Sequence, residues 1–210
     1  MIDVLNLTIG YKGKKIIDNA SFKVLDSKCL VLFGPSGCGK TSILNAIANL
    51  IPFDGSIILS GKLSYSFQNP KLFTNSTVFE NLSFVTKDFK KIDYYLNLFG
   101  IGNLKKEKVY KLSGGQMARV NIIRSLIEND ILLLDEPFNS LDLALKEKVM
   151  TCIKKEISNK KGTIFVTHDL DEALFLGDTL YCISENKVEE VPLDSKNIKE
   201  NIIKRLDFSS

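Results

Sequence analysis

The sequence predicts an α/β protein whose core is a mainly parallel sheet. Short apolar runs such as Ile131–Leu134 have the composition of strands that are buried on both faces. Segments with apolar residues at helical spacing alternate with such runs in the second half of the chain. A glycine-rich loop, Gly34–Thr41, lies between an apolar run and a helical segment. Strands that alternate with helices indicate parallel pairing with right-handed crossovers.

The length and charge of the chain narrow its class. Its 210 residues suffice for one α/β domain with a small insertion. The net charge of +3 gives no reason to expect nucleic acid as a partner. Four scattered cysteines without a C-x-x-C pair argue against structural zinc and favour a reducing compartment, the cytoplasm. No apolar run approaches the ~18 residues that span a bilayer, so we expect a soluble chain.

The first half of the chain is rich in predicted strands. Alternating or continuous apolar residues predict five: Val4–Ile9, Phe22–Leu25, Cys29–Phe33, Ser56–Leu59 and Lys62–Phe67. We expect Asp26–Lys28 to be the turn between the second and third strands, and Ser60–Gly61 to separate the last two. One helix, Ser42–Leu50, follows the glycine-rich loop.

The second half alternates between helices and strands. Apolar residues at helical spacing predict a mostly helical middle section: Val78–Phe84, Ile92–Phe99 and Gln116–Ile127. Further predicted helices are Leu141–Ile157 with Ser140 as its N-cap, Asp169–Leu176 and Asn197–Leu206. Besides Ile131–Leu134, the predicted strands are Thr163–Val166 and the hairpin Thr179–Ile183 and Lys187–Val191 around Glu185–Asn186.

The glycine-rich loop fits the pattern G-x-x-x-x-G-K-S/T at every fixed position. Its glycines let the backbone fold around a phosphate, and the following helix adds its positive N-terminal end. We expect Lys40 to reach the β- and γ-phosphates and the Thr41 hydroxyl to hold Mg²⁺. The strand–loop–helix setting disfavours an ordinary glycine-rich turn. The residues predicted to bind the phosphates are Gly34, Pro35, Ser36, Gly37, Cys38, Gly39, Lys40, Thr41 and Ser42.

Two adjacent acids, Asp135 and Glu136, end the buried strand Ile131–Leu134. Ligands bind at such strand ends in open α/β sheets. Asp135 fits the carboxylate that accompanies Mg²⁺. Glu136, which strand alternation directs to the opposite side, fits a general base or water-orienting group. Two acids that merely end a strand are the alternative.

A second anion site is predicted at Leu112-Ser113-Gly114-Gly115-Gln116, where serine and two glycines open a helix. A domain with one phosphate loop has no obvious need for two phosphate sites of its own. We therefore expect this motif to bind the nucleotide of a second subunit. An N-cap preceded by a flexible turn is the alternative.

These motifs resemble those of an ABC transporter ATPase subunit. Together with Tyr11, Gln68, the loop Ser140–Asp142 and His168, they occur in the family's order over about residues 1–191. The resemblance implies a P-loop NTPase fold with a mainly parallel core sheet, an N-terminal antiparallel β-subdomain and an inserted helical subdomain at about residues 72–127. It implies a single ATPase domain over residues 1–210, with a short tail at 192–210 and no C-terminal regulatory domain.

The resemblance also implies roles for single residues. Tyr11 would stack on the adenine of ATP, and Asp142 would lie at the interface between two copies. The motif of the second copy, Ser113, Gly114, Gly115 and Gln116, would clamp the γ-phosphate. The implied catalytic residues are Glu136, His168, Gln68 and Lys40. The implied Mg²⁺ ligands are Thr41, Gln68 and Asp135.

Two stretches, Asp135–Phe138 and Thr167–Asp178, are similar to bacterial uptake ATPases of the nitrate, sulfonate, taurine and thiamine-precursor group. Such a subunit would lie at the cytoplasmic face of the inner membrane. Its partners would be transmembrane permease subunits, a second copy of itself and, indirectly, an extracytoplasmic substrate-binding protein. The alternatives are an ABC exporter or lipoprotein-release ATPase, a soluble ABC ATPase without a transport role, and a nucleotide-binding module without turnover.

Two further features are an apolar cluster that fits a membrane partner and two residues that depart from the family pattern. Leu72, Phe73 and Phe79 are large apolar residues beside a turn-rich connection, where the family has a groove for a membrane-subunit helix. Met117 and Ala118 stand where the family usually has polar or basic residues.

Overall fold

The computed structural model describes residues 1–193 and 198–206. Within them the chain forms one three-stranded and one six-stranded sheet. The strands are β1 (Ile2–Tyr11), β2 (Lys14–Val24), β3 (Cys29–Phe33), β4 (Asp54–Leu59), β5 (Leu63–Ser66), β6 (Ile131–Asp135), β7 (Thr163–Thr167), β8 (Thr179–Ser184) and β9 (Lys187–Val191). The helices are α1 (Lys40–Ile47), α2 (Val78–Ser83), α3 (Phe89–Leu98), α4 (Gly114–Ile127), α5 (Leu143–Ile157), α6 (Leu170–Leu176) and α7 (Ile198–Leu206).

The larger sheet has the strand order β5-β6-β7-β3-β8-β9, and all of its pairs are parallel except β8–β9. Every residue of β3, β6 and β7 is buried, as continuous apolar runs require in a sheet covered on both faces. The carboxyl ends of these three strands lie at one edge of the sheet. That edge therefore carries the phosphate loop after β3, the two acids at the end of β6 and His168 after β7.

Two buried cores lie on the two faces of this sheet. One contains Leu30 and Leu32 of β3 and packs against α1 and the three-stranded sheet. The other contains Val31 of the same strand and packs against α4 and α5. Because alternate residues of β3 enter opposite cores, the strand lies between two layers.

The smaller sheet is antiparallel, with the order β2-β1-β4. The turn expected at Asp26–Lys28 is confirmed, with a hydrogen bond from the Lys28 N–H to the Leu25 carbonyl oxygen at 3.2 Å. The two strands that it joins belong to different sheets and do not pair with each other. β2 has a single buried face and pairs with β1, whereas β3 is buried on both faces and pairs with β7 and β8. The two strands around Ser60–Gly61 likewise separate, since β4 pairs with β1 and β5 with β6.

Helix α5 also begins later than expected. Its N-cap is Asp142, whose carboxylate accepts a hydrogen bond from the backbone N–H of Leu145 at 3.0 Å, so Ser140 is not the cap. A carboxylate at the N-cap satisfies a backbone donor that the helix itself leaves unpaired. The predicted β8–β9 hairpin is confirmed, with Glu185 and Asn186 at φ values of 47° and 67°, as a tight two-residue turn requires.

The segment between β5 and β6 contains α2, α3 and α4 and two short 3₁₀ turns, Gly102–Leu104 and Val109–Lys111. The predicted start of the last helix at Asn197 lies outside the described residues, and α7 is described from Ile198. Within the described ranges, no helix has both the length and the apolar character that a bilayer crossing requires.

Candidate functional site

The phosphate loop borders a cavity of about 410 Å³ at the carboxyl edge of the large sheet. Gly37 and Gly39 have φ values of 84° and 110°, a conformation that residues with a side chain rarely adopt. A Cβ atom at Gly39 would also approach Ile16 Cγ2 to 2.9 Å. These positions therefore require glycine for the loop to close around the cavity.

Lys40 is buried at the base of this loop. Its Nζ donates hydrogen bonds to the carbonyl oxygens of Gly34 and Pro35, each at 2.8 Å. The same atom lies 3.8 Å from Glu136 Oε1. An ammonium group is thus held at the cavity, where an anion would find a donor already in place.

Thr41 and Asp135 lie in contact beside the loop. The Thr41 hydroxyl donates to Asp135 Oδ2 at 2.9 Å, and the Tyr65 hydroxyl approaches the same oxygen at 3.4 Å. Burial raises the pKa of the Asp135 carboxyl above its ordinary value, while the Thr41 hydrogen bond opposes the rise. Two oxygen-bearing side chains predicted to hold Mg²⁺ are therefore neighbours in the structure.

Glu136 lies where three other predicted catalytic residues meet. Its Oε1 is 3.4 Å from His168 Nδ1 and 3.8 Å from Lys40 Nζ. Its Oε2 accepts hydrogen bonds from Gln68 Nε2 at 3.3 Å and from Asn139 Nδ2 at 2.7 Å. Asn139 was not predicted, because nothing in its local sequence marks a loop residue that turns back toward the preceding acid.

Contrary to our expectation, the Glu136 side chain does not take its direction from strand alternation. β6 ends at Asp135, and Glu136 has a φ of 43°, in the left-handed region. The pleat of the strand therefore does not decide where this side chain points. The backbone conformation brings Glu136 into the cavity beside the phosphate loop, where its carboxylate can act on a bound molecule.

Tyr11 does not line the cavity. It ends β1 with 66% of its surface exposed, and the Lys12 ammonium lies 5.4 Å from its ring centroid. Its adenine-stacking role stays a prediction. The cavity is also lined by residues that no sequence motif marked: Lys14, Lys15, Ile16, Glu185 and Asn186.

The Ser113 motif caps α4 and, among the described residues, contributes nothing to the lining of the cavity. The Ser113 hydroxyl accepts from the Gln116 backbone N–H at 3.3 Å, and Gln116 Oε1 accepts from the Ser113 N–H at 2.9 Å. A Cβ atom at Gly115 would lie 2.9 Å from the Ser140 carbonyl oxygen. The motif and the loop Ser140–Asp142 are therefore neighbours, apart from the phosphate loop of the same chain.

The two unusual residues after this motif have a packing role. Met117 is partly buried against the core that joins the sheet to α4 and α5, and Ala118 is buried. Ser113 and Gly114 are exposed. The apolar residues Met117 and Ala118 therefore lie on the inward side of α4, while the start of the helix stays exposed.

Comparison with protein families identifies the class. A family model described as ABC transporter matches residues 17–139, which is more than half of the chain. The chain therefore belongs to the ABC transporter family of ATP-binding proteins, and the family resemblance expected from the motifs is confirmed.

Two of the similar relatives are import ATP-binding proteins. The chain is 34% identical to the spermidine/putrescine import ATP-binding protein PotA of Desulfitobacterium hafniense, over 96% of the chain and 65% of the relative. It is 32% identical to the taurine import ATP-binding protein TauB of Escherichia coli O157:H7, over 92% of the chain and 85% of the relative. The chain thus spans slightly less than two thirds of the length of the polyamine relative.

Solved structures show the same fold. The ATP-binding cassette MJ0796, described as a dimer in a post-hydrolysis state with ADP and Pi, superposes with a TM-score of 0.83 at 26% identity, over 93% of this chain and 100% of that one. An ATP-binding subunit of an ABC transporter superposes with a TM-score of 0.87 at 20% identity, over 96% of this chain and 94% of that one. The predicted α/β fold class is confirmed.

Proposed function

We propose that this chain is the ATP-hydrolysing subunit of a bacterial uptake transporter for a small solute. The observation that supports this most directly is the meeting of Lys40, Gln68 and His168 at the Glu136 carboxylate, beside the cavity of the phosphate loop. A module that only binds nucleotide would need the loop and the ammonium but no carboxylate beside them. Glu136 is the residue that distinguishes turnover from binding.

The phosphates of ATP would bind between the loop and the N-terminal end of α1. The Lys40 ammonium would exchange its hydrogen bonds to two loop carbonyls for charge-assisted bonds to phosphate oxygens. Backbone N–H groups of the loop would supply further donors. The energy of binding therefore comes from groups that the fold already places at the cavity.

Glu136 would orient or deprotonate the attacking water. Donors on Gln68 and Asn139 both reach Oε2, which leaves Oε1 facing His168 and Lys40. The ionised carboxylate is the form that accepts a proton from water. His168 would contact the γ-phosphate from the end of β7.

The side chains present also fit Mg²⁺. Thr41 and Asp135 offer hard oxygen atoms, and their 2.9 Å hydrogen bond shows that the two groups reach a common point. Gln68 would add an amide oxygen. Bound Mg²⁺ would neutralise charge on the phosphates, and ionised Asp135 would be its strongest ligand in this set.

A second copy would complete each site. Ser113 and Gly114 are exposed and the motif lies apart from the cavity of its own chain, so a head-to-tail pair would bring it to the γ-phosphate of the partner copy. The dimeric state of the MJ0796 cassette supports this arrangement. Asp142, the N-cap of α5, would lie at the same interface.

Ser113→Arg is expected to abolish turnover while ATP affinity of the monomer stays within about twofold of the wild type. An arginine at this position would remove the hydroxyl proposed to contact the γ-phosphate of the partner copy, but it lies outside the cavity that binds ATP in its own chain. ATPase rates and titration of monomer with ATP measure the two quantities. Equal loss of both would mean that the motif binds ATP within its own chain.

Thr77→Arg is the matched control for this variant. Thr77 is the N-cap of α2 and forms the same reciprocal hydrogen bonds, with Glu80 in place of Gln116. Loss of either cap costs about 1 kcal/mol of stability. Turnover close to the wild type in Thr77→Arg would show that the effect at Ser113 is not a consequence of losing a helix cap.

An aromatic patch on the segment after Gln68 fits the proposed membrane partner. Phe73 and Phe84 are exposed, and their ring centroids lie 4.9 Å apart. The buried side chain of Asn81 fixes the Phe73 backbone, accepting from its N–H at 2.9 Å and donating to its carbonyl at 3.0 Å. An exposed aromatic pair on a fixed loop suits an apolar helix of a permease subunit.

Phe73→Asp is therefore expected to weaken pull-down of the permease subunits at least tenfold, because it places a charge in an apolar contact, while ATP affinity of the free chain is unchanged. Tyr94→Asp removes an aromatic residue of similar exposure on α3 and serves as the control. Complex assembly and transport at wild-type levels in Phe73→Asp would exclude Phe73 from the contact.

The uptake direction and the location at the cytoplasmic face of the inner membrane are supported by the two import relatives. The test of the whole proposal is reconstitution. The chain is co-purified with its membrane partners, and ATP-dependent accumulation of solute is measured in vesicles of defined orientation. Accumulation on the side opposite to the ATPase subunit, or no ATP hydrolysis at all, would contradict the proposed function.

A further inference from the structure

Lys146, on α5, contacts two carboxylates of another helix. Its Nζ lies 2.8 Å from Asp169 Oδ2 and 2.5 Å from Glu172 Oε1. Asp169 is the N-cap of α6, and Glu172 lies in the first turn of that helix. The Glu172 side chain is only 6% exposed. A buried carboxylate requires a partner of opposite charge, and Lys146 provides it.

Each of the two carboxylates uses its other oxygen to hold the backbone around His168. Asp169 Oδ1 accepts the N–H groups of Asp171 and Glu172, at 2.9 and 3.2 Å. Glu172 Oε2 accepts the Thr167 hydroxyl at 2.5 Å. The Thr167 Oγ1 in turn accepts the Asp169 N–H at 3.0 Å. The residues before and after His168 are thus joined to each other and, through the carboxylates, to Lys146.

His168 itself is half exposed, and a contact with Glu136 at 3.4 Å is the side-chain interaction that the structure gives it. Its direction depends on the backbone that Thr167 and Asp169 hold. Lys146 also donates its backbone N–H to the Asp142 carbonyl at 2.8 Å. One residue therefore connects the loop proposed to face the second copy with the loop that carries His168.

We propose that Lys146 is a positioning residue for His168, holding the loop Thr167–Asp169 so that the imidazole faces Glu136. The proposal rests on the proposed function, since the contact matters for ATP turnover. A salt bridge that merely stabilises α6 is the competing interpretation. Measurements of stability, of ATP turnover and of the environment of the His168 imidazole distinguish the positioning role from the purely stabilising one.

The first measurement is kinetic. Lys146→Met is expected to lower kcat about tenfold with the KM for ATP within about twofold of the wild type, because geometry at the reacting group is lost while the phosphate loop is intact. Lys146→Arg keeps the charge and should restore most of kcat. Lys148→Met, an exposed lysine on the same helix, should behave as the wild type. Wild-type kcat in Lys146→Met would overturn the proposal.

The second measurement does not depend on activity. His168 is the single histidine of the chain, so its imidazole resonances are identified without ambiguity. In the absence of nucleotide, Lys146→Met should shift these resonances, while Lys146→Arg and Lys148→Met should leave them near their wild-type positions. Unchanged resonances in folded Lys146→Met would mean that Lys146 does not position the imidazole.

The third measurement applies if Lys146→Met does not fold. Removal of Lys146 alone leaves the Glu172 carboxylate buried without its cation, which can unfold the variant. The double variant Lys146→Met/Glu172→Gln removes both charges and keeps an oxygen for the Thr167 hydroxyl. It should fold and show the same losses, whereas wild-type kcat and imidazole resonances would overturn the proposal. Absence of turnover in the wild type would instead refute the proposed function.

Discussion

Glu136→Gln is expected to slow ATP turnover by about 10²-fold or more, because the amide cannot accept the proton of the attacking water. ATP binding should survive, since glutamine has nearly the same shape and keeps an oxygen for the donors of Gln68 and Asn139. Without turnover, the variant should accumulate as an ATP-bound dimer. ATPase rates and gel filtration with and without Mg-ATP measure both effects.

Glu107→Gln, which neutralises an exposed carboxylate away from the cavity, is the control for the change of charge. It should retain wild-type turnover and show no added dimer. A Glu136→Gln variant that remains monomeric in Mg-ATP and turns over ATP at the wild-type rate would refute the role of Glu136 together with its position at a shared site.

Lys40→Ala should lose ATP binding and with it all turnover. The variant removes the positive charge that the fold holds at the carbonyl oxygens of Gly34 and Pro35. Lys14 and Lys15 also line the cavity, but neither makes these hydrogen bonds to the loop. Calorimetric titration with ATP measures the loss. Wild-type turnover in this variant would show that the loop is not the phosphate site.

The fold should survive in Lys40→Ala, because the hydrogen bonds of Lys40 lie within the loop itself. The melting temperature and far-ultraviolet circular dichroism test this. Lys23→Ala, an exposed lysine on β2, provides the comparison for removing a lysine from this part of the chain. Of these two variants, only Lys40→Ala should lose ATP affinity.

Continuous apolar runs made the centre of the fold predictable from sequence. β3, β6 and β7 are buried at every position, and apolar residues occupy most of these positions. Strand pairing in the smaller sheet could not be predicted in the same way. β2 precedes β3 by only a short connection, yet it pairs with β1 and lies in the other sheet. Local periodicity indicates a strand but does not choose its partner.

The candidate site was predictable where a backbone requirement fixes the residue type. Glycines in the phosphate loop and the serine that caps α4 are examples, since a left-handed φ and an unpaired helix donor each select few residues. Asn139 and Lys146 were not predictable, because their partners Glu136 and Glu172 come close only through a loop or the packing of two helices. The direction of Glu136 also depended on a backbone conformation that its sequence does not reveal.

The central claim is that each ATP binds between the phosphate loop of one copy and the Ser113 motif of another. Mixing two defective variants tests it most directly. Lys40→Ala and Ser113→Arg are each combined with Glu136→Gln, so that bound ATP is not consumed. Each protein alone should retain no ATP after free nucleotide is removed. In the mixed dimer, the intact loop of one copy faces the intact motif of the other.

Each mixed dimer has one intact site of two, and random pairing alone makes about half of the dimers mixed, so retained ATP should reach at least about a quarter of that in Glu136→Gln alone. Retained ATP is measured with radiolabelled nucleotide after rapid desalting of the equimolar mixture. Recovery to that level or above is the predicted result. A mixture that retains no more ATP than its two components separately would contradict the shared site and place the loop and the motif within one chain.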